Sequence, residues 1–394
     1  MATTTLGPID AAEALVPLIR EHADAIERER RLPAPVSQAL VEAGIFRLFV
    51  PRALGGAEVD PATACHVVEA VSRADGAAGW CAMIGACYGV FGALLPDDGA
   101  REIFSDPATV GAGAFRITGI AREVEGGYQV SGRWPLGSGI MHANWVLGGC
   151  RVFDGDEPRL GANGMPERRI LFFPPAEVQI LDTWHVAGLR GTGSHDYVVN
   201  DLFVPAHRAC WFSQPPRQPG PLYTMPAIAL FAGLVASVPL GIARHAFDVF
   251  TEIANAKKVI WSQESLGSRP TTHVVLGEAE GLLRAGRAFL FEQVNLAWGS
   301  AMRGEQITWE QRGLLWLAAT QAATQAARAV DLLFKAAGTT SIYASSQIER
   351  CWRDVHTAAQ HICLTTANYE FAGRLFLGLD VLASPWGVDN RGDA

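Results

Sequence analysis

Residues 346–361 read Ser-Gln-Ile-Glu-Arg-Cys-Trp-Arg-Asp-Val-His-Thr-Ala-Ala-Gln-His and gather polar side chains in an otherwise apolar tract near the C-terminus. Helical spacing places positions 354, 357, 358 and 361 on one face, so Asp354 and His361 are predicted to face the same neighbour. A buried helix with internal ion pairs explains the pattern equally well, because single histidines are usually structural. Polar stretches far upstream bear on this choice.

Composition limits the function classes that fit the chain. Its 394 residues are 49% hydrophobic and 18% charged, which predicts a soluble, cytoplasmic enzyme with two or three packed sub-domains. The net charge of −8 disfavours nucleic acid and anionic membranes as partners. The seven cysteines form no CxxC pair, so neither a disulfide framework nor a metal site is expected. The longest apolar stretch, residues 226–243, predicts a buried core helix.

Hydrophobic periodicity divides the chain into three predicted domains. Residues 1–107 show helical spacing, and Asp60 is placed to cap a helix there. Over residues 108–220 the period shortens towards two and glycine turns recur, which predicts a small β-barrel or sandwich. Residues 221–394 contain four long helical tracts, which predict a four-helix bundle. Several of these tracts are apolar on more than one face, which predicts a homo-oligomer.

Each predicted helix has approximate bounds. The N-terminal helices include residues 9–30, 36–43 and 76–95, with an extended link at residues 46–51. The bundle helices are predicted at residues 227–256, 274–302, 308–336 and 347–377. No N-terminal signal peptide is expected, because glutamate and arginine interrupt the first thirty residues.

Two glycine-rich turns fall within the β-domain. Residues 127–139 read Gly-Tyr-Gln-Val-Ser-Gly-Arg-Trp-Pro-Leu-Gly-Ser-Gly. Glycines let the backbone approach a flat ligand, Trp134 offers a stacking face, and Ser138 can donate to a ring nitrogen. A tight hairpin explains this stretch equally well. Residues 188–197 form a second turn with small hydroxyl residues before a strand.

The order of these parts resembles the acyl-CoA dehydrogenase fold over nearly the whole chain: an N-terminal helical domain, a small β-barrel and a C-terminal four-helix bundle. The resemblance is carried by Trp134 with Ser-Gly at 138–139, by Gly-Leu-Arg-Gly-Thr-Gly-Ser at 188–194 with Val-Pro at 204–205, and by Trp-Arg-Asp-Val-His at 352–356. Together they are similar to group D two-component flavin-dependent monooxygenases, such as hydroxyphenylacetate and steroid-phenol hydroxylases and dibenzothiophene monooxygenase.

The chain departs from the dehydrogenases at the catalytic base. Where many of them carry a glutamate, residues 359–363 read Ala-Gln-His-Ile-Cys, and residues 211–247 contain no acid. A histidine in that place is typical of the monooxygenase branch. An acyl-CoA dehydrogenase with an atypical base and a non-catalytic relative remain the alternatives.

The resemblance implies an oxygenase component that takes reduced flavin, FMNH₂ or FADH₂, from a separate NAD(P)H:flavin reductase. It would use O₂ through a C4a-hydroperoxyflavin and need no metal. His361 would lie beside the flavin and control a proton, because its pKa lies near working pH. Ser138 would hydrogen-bond the N5 edge of the ring. Arg269 would reach a flavin phosphate at a subunit boundary. The implied cofactor-binding residues are Trp134, Ser138, Gly139, Thr192, Ser194 and Arg269.

Substrate contacts are predicted from the apolar segments around the implied pocket. These segments favour an apolar aromatic substrate, phenolic or indolic, and have few of the basic donors that phosphates favour. The candidate substrate contacts are Trp80, Tyr88, His142 and Phe231. His356 is predicted to play a supporting role, pairing with Asp354. The oligomer is expected to be a homotetramer.

Overall fold

Helices occupy both ends of the chain, and a sheet lies between them in sequence. The computed structural model describes residues 6–161, 164–260 and 263–381. The N-terminal helices are α1 (Pro8–Glu21), α2 (Ala23–Glu29), α3 (Ala34–Glu42), α4 (Pro61–Ala74), α5 (Gly76–Tyr88), α6 (Phe91–Leu94) and α7 (Asp97–Phe104). The C-terminal helices are α8 (Pro221–Thr224), α9 (Ala227–Ala256), α10 (Pro270–Met302), α11 (Trp309–Ala337), α12 (Gln347–Ala358) and α13 (Ala367–Phe376).

Aspartate caps begin the two helices at the centre of the N-terminal domain. Asp60 accepts a hydrogen bond of 2.9 Å from the Thr63 amide, and Pro61 opens α4, which confirms the predicted cap. Asp75 then accepts from the Ala78 amide at 2.9 Å and starts α5 one residue after α4 ends. The result is a tight corner that directs α5 toward the middle of the molecule.

Three N-terminal predictions are wrong in their bounds. The helix predicted over residues 9–30 breaks at His22 into α1 and α2. The helix predicted over residues 76–95 is divided by a turn at residues 89–90 into α5 and α6, and a Cβ at Gly89 in this turn would meet the Val50 nitrogen at 2.6 Å. The predicted extended link begins instead within a 3-10 turn, Ile45–Arg47.

Buried Arg47 explains the 3-10 turn. The residue is 6% exposed, and its guanidinium donates to three carbonyl oxygens that converge on it. Burial lowers the pKa of Arg47, but these acceptors compensate the charge and fold the backbone around it. The acceptors are the carbonyls of Leu54, Phe104 and Asp106.

A mixed sheet forms the middle of the chain and wraps around its own core. Strands pair in the order β6-β7-β2-β1-β3-β5-β8, with β4 beside β3, and only the β1–β3 pairing is parallel among the described strands. Trp134 on β2 touches Phe173 on β5 at 5.6 Å between ring centroids, across two intervening strands. Such contact requires a sheet that curls, as in a small barrel. The strands are β1 (Gly111–Val124), β2 (Gly127–Gly137), β3 (Trp145–Asp154), β4 (Glu157–Pro158), β5 (Arg168–Phe173), β6 (Gln179–Leu181), β7 (His195–Pro205) and β8 (Ala209–Cys210).

Helix α9 is the central helix, in contact with both helical domains. It packs on α10, α11 and α12 to form the predicted bundle, and on α4 and α5 from the N-terminal domain. Two stretches, residues 76–94 and 227–256, are long and apolar enough to cross a membrane by length and composition. Burial inside the protein reaches 94% and 83% of their most apolar windows, so both are core helices here.

The last predicted bundle helix, over residues 347–377, is interrupted. Helix α12 ends at Ala358, and α13 begins only at Ala367. Asn368 is fully buried and donates to the Cys363 carbonyl and to the Thr320 hydroxyl, each at 2.8 Å. These bonds hold the intervening residues in a 3-10 turn, so the break is built into the core and places residues 359–366 at the edge of the bundle.

Candidate active site

The two glycine-rich turns meet at the end of β2. The Gly139 amide donates to the Thr192 carbonyl at 2.8 Å, which joins the first turn to the second. Gly139 has φ +78°, a conformation that L side chains rarely adopt, and Leu136 has φ +65° although it carries a side chain. Ser138 lies between these two positions, with 6% of its surface exposed. The structure therefore brings the two turns into direct contact beside Ser138.

A chain of hydrogen bonds runs from α5 through both turns. The Trp80 indole N–H donates to the Ser138 hydroxyl at 3.1 Å. Ser138 and Ser194 lie 2.7 Å apart at their hydroxyl oxygens, and so do Ser194 and Thr192. The Thr192 hydroxyl donates to the Leu189 carbonyl at 2.9 Å. Three of the predicted flavin-lining residues thus form one connected group, anchored at both ends.

His361 lies beside the first member of this chain. Its ring is 5.5 Å from the Trp80 ring between centroids, in an edge-to-face arrangement. The Cys363 amide donates to His361 Nδ1 at 3.2 Å, so in the neutral ring the hydrogen is on Nε2. Desolvation lowers the pKa of His361 to about 4. The expectation of a pKa near working pH is therefore wrong: the imidazole is neutral at working pH and has an Nε2–H donor.

The expected helical setting of His361 is wrong. The residue lies three positions after α12 ends, with φ −65° and ψ 142°, and it caps the 3-10 turn Ile362–Leu364. It does not share a helix face with Asp354. Backbone groups of the break, rather than helical spacing, orient the imidazole.

Asp354 has a different partner, which sequence analysis missed. The side chain is 4% exposed and accepts from the Leu189 amide at 2.5 Å, across 165 residues of sequence. Desolvation, with a further contribution from nearby Asp75, raises the pKa of Asp354 to about 7. Leu189 has φ +51° and precedes the 3-10 turn Arg190–Thr192. Asp354 therefore holds the second glycine-rich turn in place from the bundle.

Trp134 does not have the predicted role. Its side chain is fully buried in the barrel, stacked on Tyr197 at 5.4 Å, and its indole N–H donates to the Gly149 carbonyl at 2.8 Å. Alternation along β2 turns this residue inward. No face is free to stack on a flavin, and Trp80 from α5 is the tryptophan that contacts the site.

Arg269 and His356 lie apart from this group. Arg269 is exposed at the start of α10, and its side chain makes no hydrogen bond or ion pair with another described residue. Its predicted phosphate contact across a subunit boundary stays a prediction. His356 pairs with Asp331 at 3.0 Å and contacts Trp352, so the predicted pairing with Asp354 is wrong.

Two of the candidate substrate residues, Tyr88 and Phe231, belong to one aromatic cluster, and His142 packs on a separate phenylalanine. Phe231 on α9 stacks on Phe115 of β1 at 5.7 Å, and Phe115 keeps part of its surface exposed. Tyr88 is buried, and its hydroxyl has no hydrogen-bond partner among the described residues. His142 packs on Phe46 at 5.8 Å, and desolvation lowers the pKa of this histidine to about 4. An aromatic cluster of this kind offers apolar contacts that suit an aromatic ring.

The residues present fit a flavin better than a metal. Gly139 has a φ that favours glycine, and a Cβ there would lie 3.3 Å from His142 Nε2, so the backbone beside Ser138 carries no side chain. Buried hydroxyls and a neutral imidazole suit the nitrogen edge of an isoalloxazine ring. Across the described ranges, no three His, Cys, Asp or Glu side chains are placed to hold a metal ion. The first acid on α9, Asp248, pairs with Arg73 at 2.7 Å and is not available as a base in the site.

Known proteins match along most of the chain. Two family models match: Acyl-CoA dehydrogenase, N-terminal domain, over residues 11–99, and Acyl-CoA dehydrogenase, C-terminal domain, over residues 234–366. An indole-3-acetate monooxygenase of Pseudomonas putida is 33% identical, with 93% of each chain covered. The flavin-dependent monooxygenase oxygenase subunit HsaA of Rhodococcus jostii is 30% identical, covering 89% of this chain and 92% of that protein. The structure of XiaF from Streptomyces sp. in complex with FADH₂ and glycerol superposes with a TM-score of 0.86 at 28% identity, covering 95% of each chain.

Proposed function

The chain belongs to the acyl-CoA dehydrogenase family and is a reduced-flavin-dependent monooxygenase, and from its site we propose that it hydroxylates an apolar aromatic substrate, phenolic or indolic. The observation that carries the proposal is the connected group of His361, Trp80 and Ser138. No carboxylate of the described residues hydrogen-bonds to any of the three. A site without an acid lacks the base that removes an α-proton from an acyl thioester.

Reduced flavin, when bound, supplies the electrons that activate O₂. Ser138 would hold the N5 edge of the ring, with Gly139, Thr192 and Ser194 behind it. His361 would donate a hydrogen bond from Nε2 to the oxygen-bearing side of the site, because its Nδ1 is engaged by Cys363. Because this imidazole is partly buried, its proton exchange with bulk water would be slowed.

The aromatic substrate is supported by the aromatic cluster around Phe115 and Phe231. A relative acts on indole-3-acetate by its name, and another is an FADH₂-dependent resorcinol hydroxylase, 27% identical. An indole or a phenol presents a ring to the aromatic cluster and an N–H or O–H group to the polar residues. His142 and Tyr88 would contribute polar contacts in this arrangement.

The remaining partners of the enzyme are part of the proposal. A separate NAD(P)H:flavin reductase would deliver FMNH₂ or FADH₂. A homotetramer is supported by large apolar side chains near the C-terminal helices that are exposed in one chain, because such patches usually mark interfaces. They are Ile342 at 67% exposure, Tyr343 at 63%, Phe376 at 69% and Leu377 at 75%.

Product analysis tests the proposal. The protein is supplied with a flavin reductase, NADH, FMN or FAD, O₂ and a panel of phenols and indoles, and hydroxylated products are quantified. We expect His361→Ala to lower product formation by roughly two orders of magnitude, the range for a lost proton-transfer group. His356→Ala is the matched control, because that imidazole pairs with Asp331, and it should leave product formation unchanged. Equal rates in the two variants would contradict the proposal, as would bleaching of bound oxidised flavin by an acyl-CoA.

A further inference from the structure

The hydrogen bonds that link Ser138, Ser194, Thr192 and Leu189 all donate in the same direction along the chain. The Leu189 carbonyl can only accept, so its 2.9 Å contact takes the single hydroxyl hydrogen of Thr192. Thr192 must then accept at its 2.7 Å contact with Ser194. The hydrogen of Ser194 is used there, so Ser194 accepts from Ser138 across 2.7 Å. Every hydroxyl hydrogen in the chain therefore points toward Leu189.

Ser138 is left with acceptor capacity alone. Its own hydrogen goes to Ser194, and one of its two lone pairs receives the Trp80 indole N–H at 3.1 Å. One lone pair remains, so any further partner of Ser138 must be a hydrogen-bond donor. The residue is 6% exposed, and solvent has little access to replace that partner.

We infer that Thr192 and Ser194 are positioning residues that make Ser138 select the redox state of the flavin. The inference rests on the proposed function, in which Ser138 faces N5 of the ring. In reduced flavin N5 carries a hydrogen and donates, whereas in oxidised flavin N5 has a lone pair and only accepts. Reduced flavin therefore supplies the donor that Ser138 lacks. Oxidised flavin instead places the lone pair of N5 against the free lone pair of Ser138.

This preference suits an enzyme that shares its flavin with a reductase. Reduced flavin must be captured before it reacts with O₂ in solution, and oxidised flavin must leave for the next cycle. A buried acceptor left without a donor weakens binding about 10-fold to 100-fold, so we expect this contact to favour the reduced form by that factor. The contribution of the chain is measured as the change in the ratio of the two dissociation constants.

Thr192→Val is the direct test. It removes the hydroxyl that fixes the direction and keeps a similar side-chain shape. The Leu189 carbonyl still accepts from the Thr192 backbone amide at 3.1 Å and from the Trp184 indole at 3.2 Å, so no buried acceptor loses its last partner. Ser194 can then donate to Ser138, and Ser138 becomes free to donate to the ring.

The measurement is anaerobic titration of the protein with FMN and FAD, each oxidised or reduced with dithionite. We expect Thr192→Val to tighten binding of the oxidised form and to lower the oxidised-to-reduced ratio of dissociation constants about 10-fold. Thr118→Val is the matched control. The Thr118 hydroxyl also donates to a barrel carbonyl, that of Arg133 at 2.8 Å, but is exposed and outside the chain, so the ratio should not change.

Two further variants separate the possible failures. Ser194→Ala removes the acceptor of the Ser138 hydrogen and should lower the ratio as Thr192→Val does, which keeps the test valid if Thr192→Val does not fold. Ser138→Ala should weaken binding of reduced flavin, because the N5 hydrogen loses its acceptor. If Ser138→Ala has this effect while the other two variants keep the wild-type ratio, the inference fails and the proposed function stands. If Ser138→Ala leaves binding of reduced flavin unchanged, or no flavin binds the wild type, both fail.

Discussion

Trp80 supports both polar groups proposed to act on the flavin. Its indole N–H donates to Ser138 at 3.1 Å, and its ring edge contacts His361. We expect Trp80→Phe to keep the ring contact and to lose the donor. Ser138 would then be less well held, and a larger share of the O₂ consumed should appear as H₂O₂ instead of product. Loss of one hydrogen bond should lower the unfolding free energy by only about 1 kcal/mol.

The coupling of O₂ to product is measured as the ratio of product to H₂O₂ under saturating substrate. Trp352→Phe is the control for Trp80→Phe, because that indole donates to Asp331 at 2.7 Å on the outer side of α12. A ratio in Trp80→Phe equal to that of the control would show that the indole donor does not organise Ser138.

At the scale of secondary-structure elements, helix α12 holds the turn that carries Thr192. Asp354 binds the Leu189 amide, and Glu27 of α2 pairs with both Arg190 of the turn and Arg353 of α12, at 3.5 Å and 2.9 Å. We expect Asp354→Ala to lower the unfolding free energy by about 2 kcal/mol, because a buried amide loses its acceptor. Affinity for reduced flavin should fall as the turn loosens.

Asp354→Asn distinguishes positioning from charge. The amide oxygen can still accept from Leu189, so this variant should keep most of the flavin affinity that Asp354→Ala loses. Asp331→Ala, which removes a half-exposed carboxylate facing His356, is the control and should leave flavin titrations unchanged. Equal flavin affinity in Asp354→Ala and wild type would refute the role of α12.

The same turn also depends on a close contact with α2. A Cβ at Gly191 would lie 2.0 Å from Ile26 Cγ2 and 3.0 Å from Ala77 Cβ. We therefore expect Gly191→Ala to push the turn outward and to cost about 1 to 3 kcal/mol of unfolding free energy. Gly277→Ala on the exposed side of α10, where nothing lies within 4 Å, should instead stabilise the protein by about 0.5 to 1 kcal/mol. Thermal or urea unfolding of both variants checks the contrast.

At the scale of the whole molecule, buried histidines make stability depend on pH. Burial lowers the pKa of His142, His245 and His361 to about 4 each, below the usual value of 6.5. Between those limits the unfolded chain binds more protons than the native protein, so this contribution to stability is complete above pH 6.5 and is lost as the pH falls toward 4. Asp354, with its pKa raised to about 7, acts in the opposite direction over the range below 7.

His245→Gln isolates one of these contributions. Desolvation is the largest cause of the lowered pKa of His245, and the positive charges of Arg20, Arg73 and Arg350 lower it further, whereas the Asp248 carboxylate opposes the shift. When the pH is lowered from 7 to 5, this histidine should cost the wild type about 2 kcal/mol of unfolding free energy. The variant should not show this loss. Urea titrations at the two pH values measure this, and an identical pH dependence in both proteins would contradict it.

The bundle helices show what periodicity can predict. The predicted tracts over residues 227–256 and 308–336 match α9 and α11 to within one residue, because one continuous pattern of small and apolar side chains defines each of them. The tract over residues 347–377 was predicted as one helix. Its break depends on Asn368, whose bonds reach Thr320 across 48 residues, so no local window contains the cause.

In the candidate site too, the sequence indicated some residues and gave no indication of others. Ser138, Thr192 and Ser194 were predicted from the resemblance, and the structure brings them together through hydrogen bonds. Trp134 was misplaced, although its alternation along β2 with buried Val130 was a signal that it points into the barrel. The bond from Leu189 to Asp354 spans 165 residues and left no signal in the sequence.

The break between α12 and α13 also matters for engineering. His361 takes its orientation from a short turn and the Cys363 amide, not from the register of a helix. A library at positions 360–362 would therefore vary the group beside the reaction centre without shifting the seams between bundle helices. New oxidation chemistries can be screened at this turn in an otherwise unaltered scaffold.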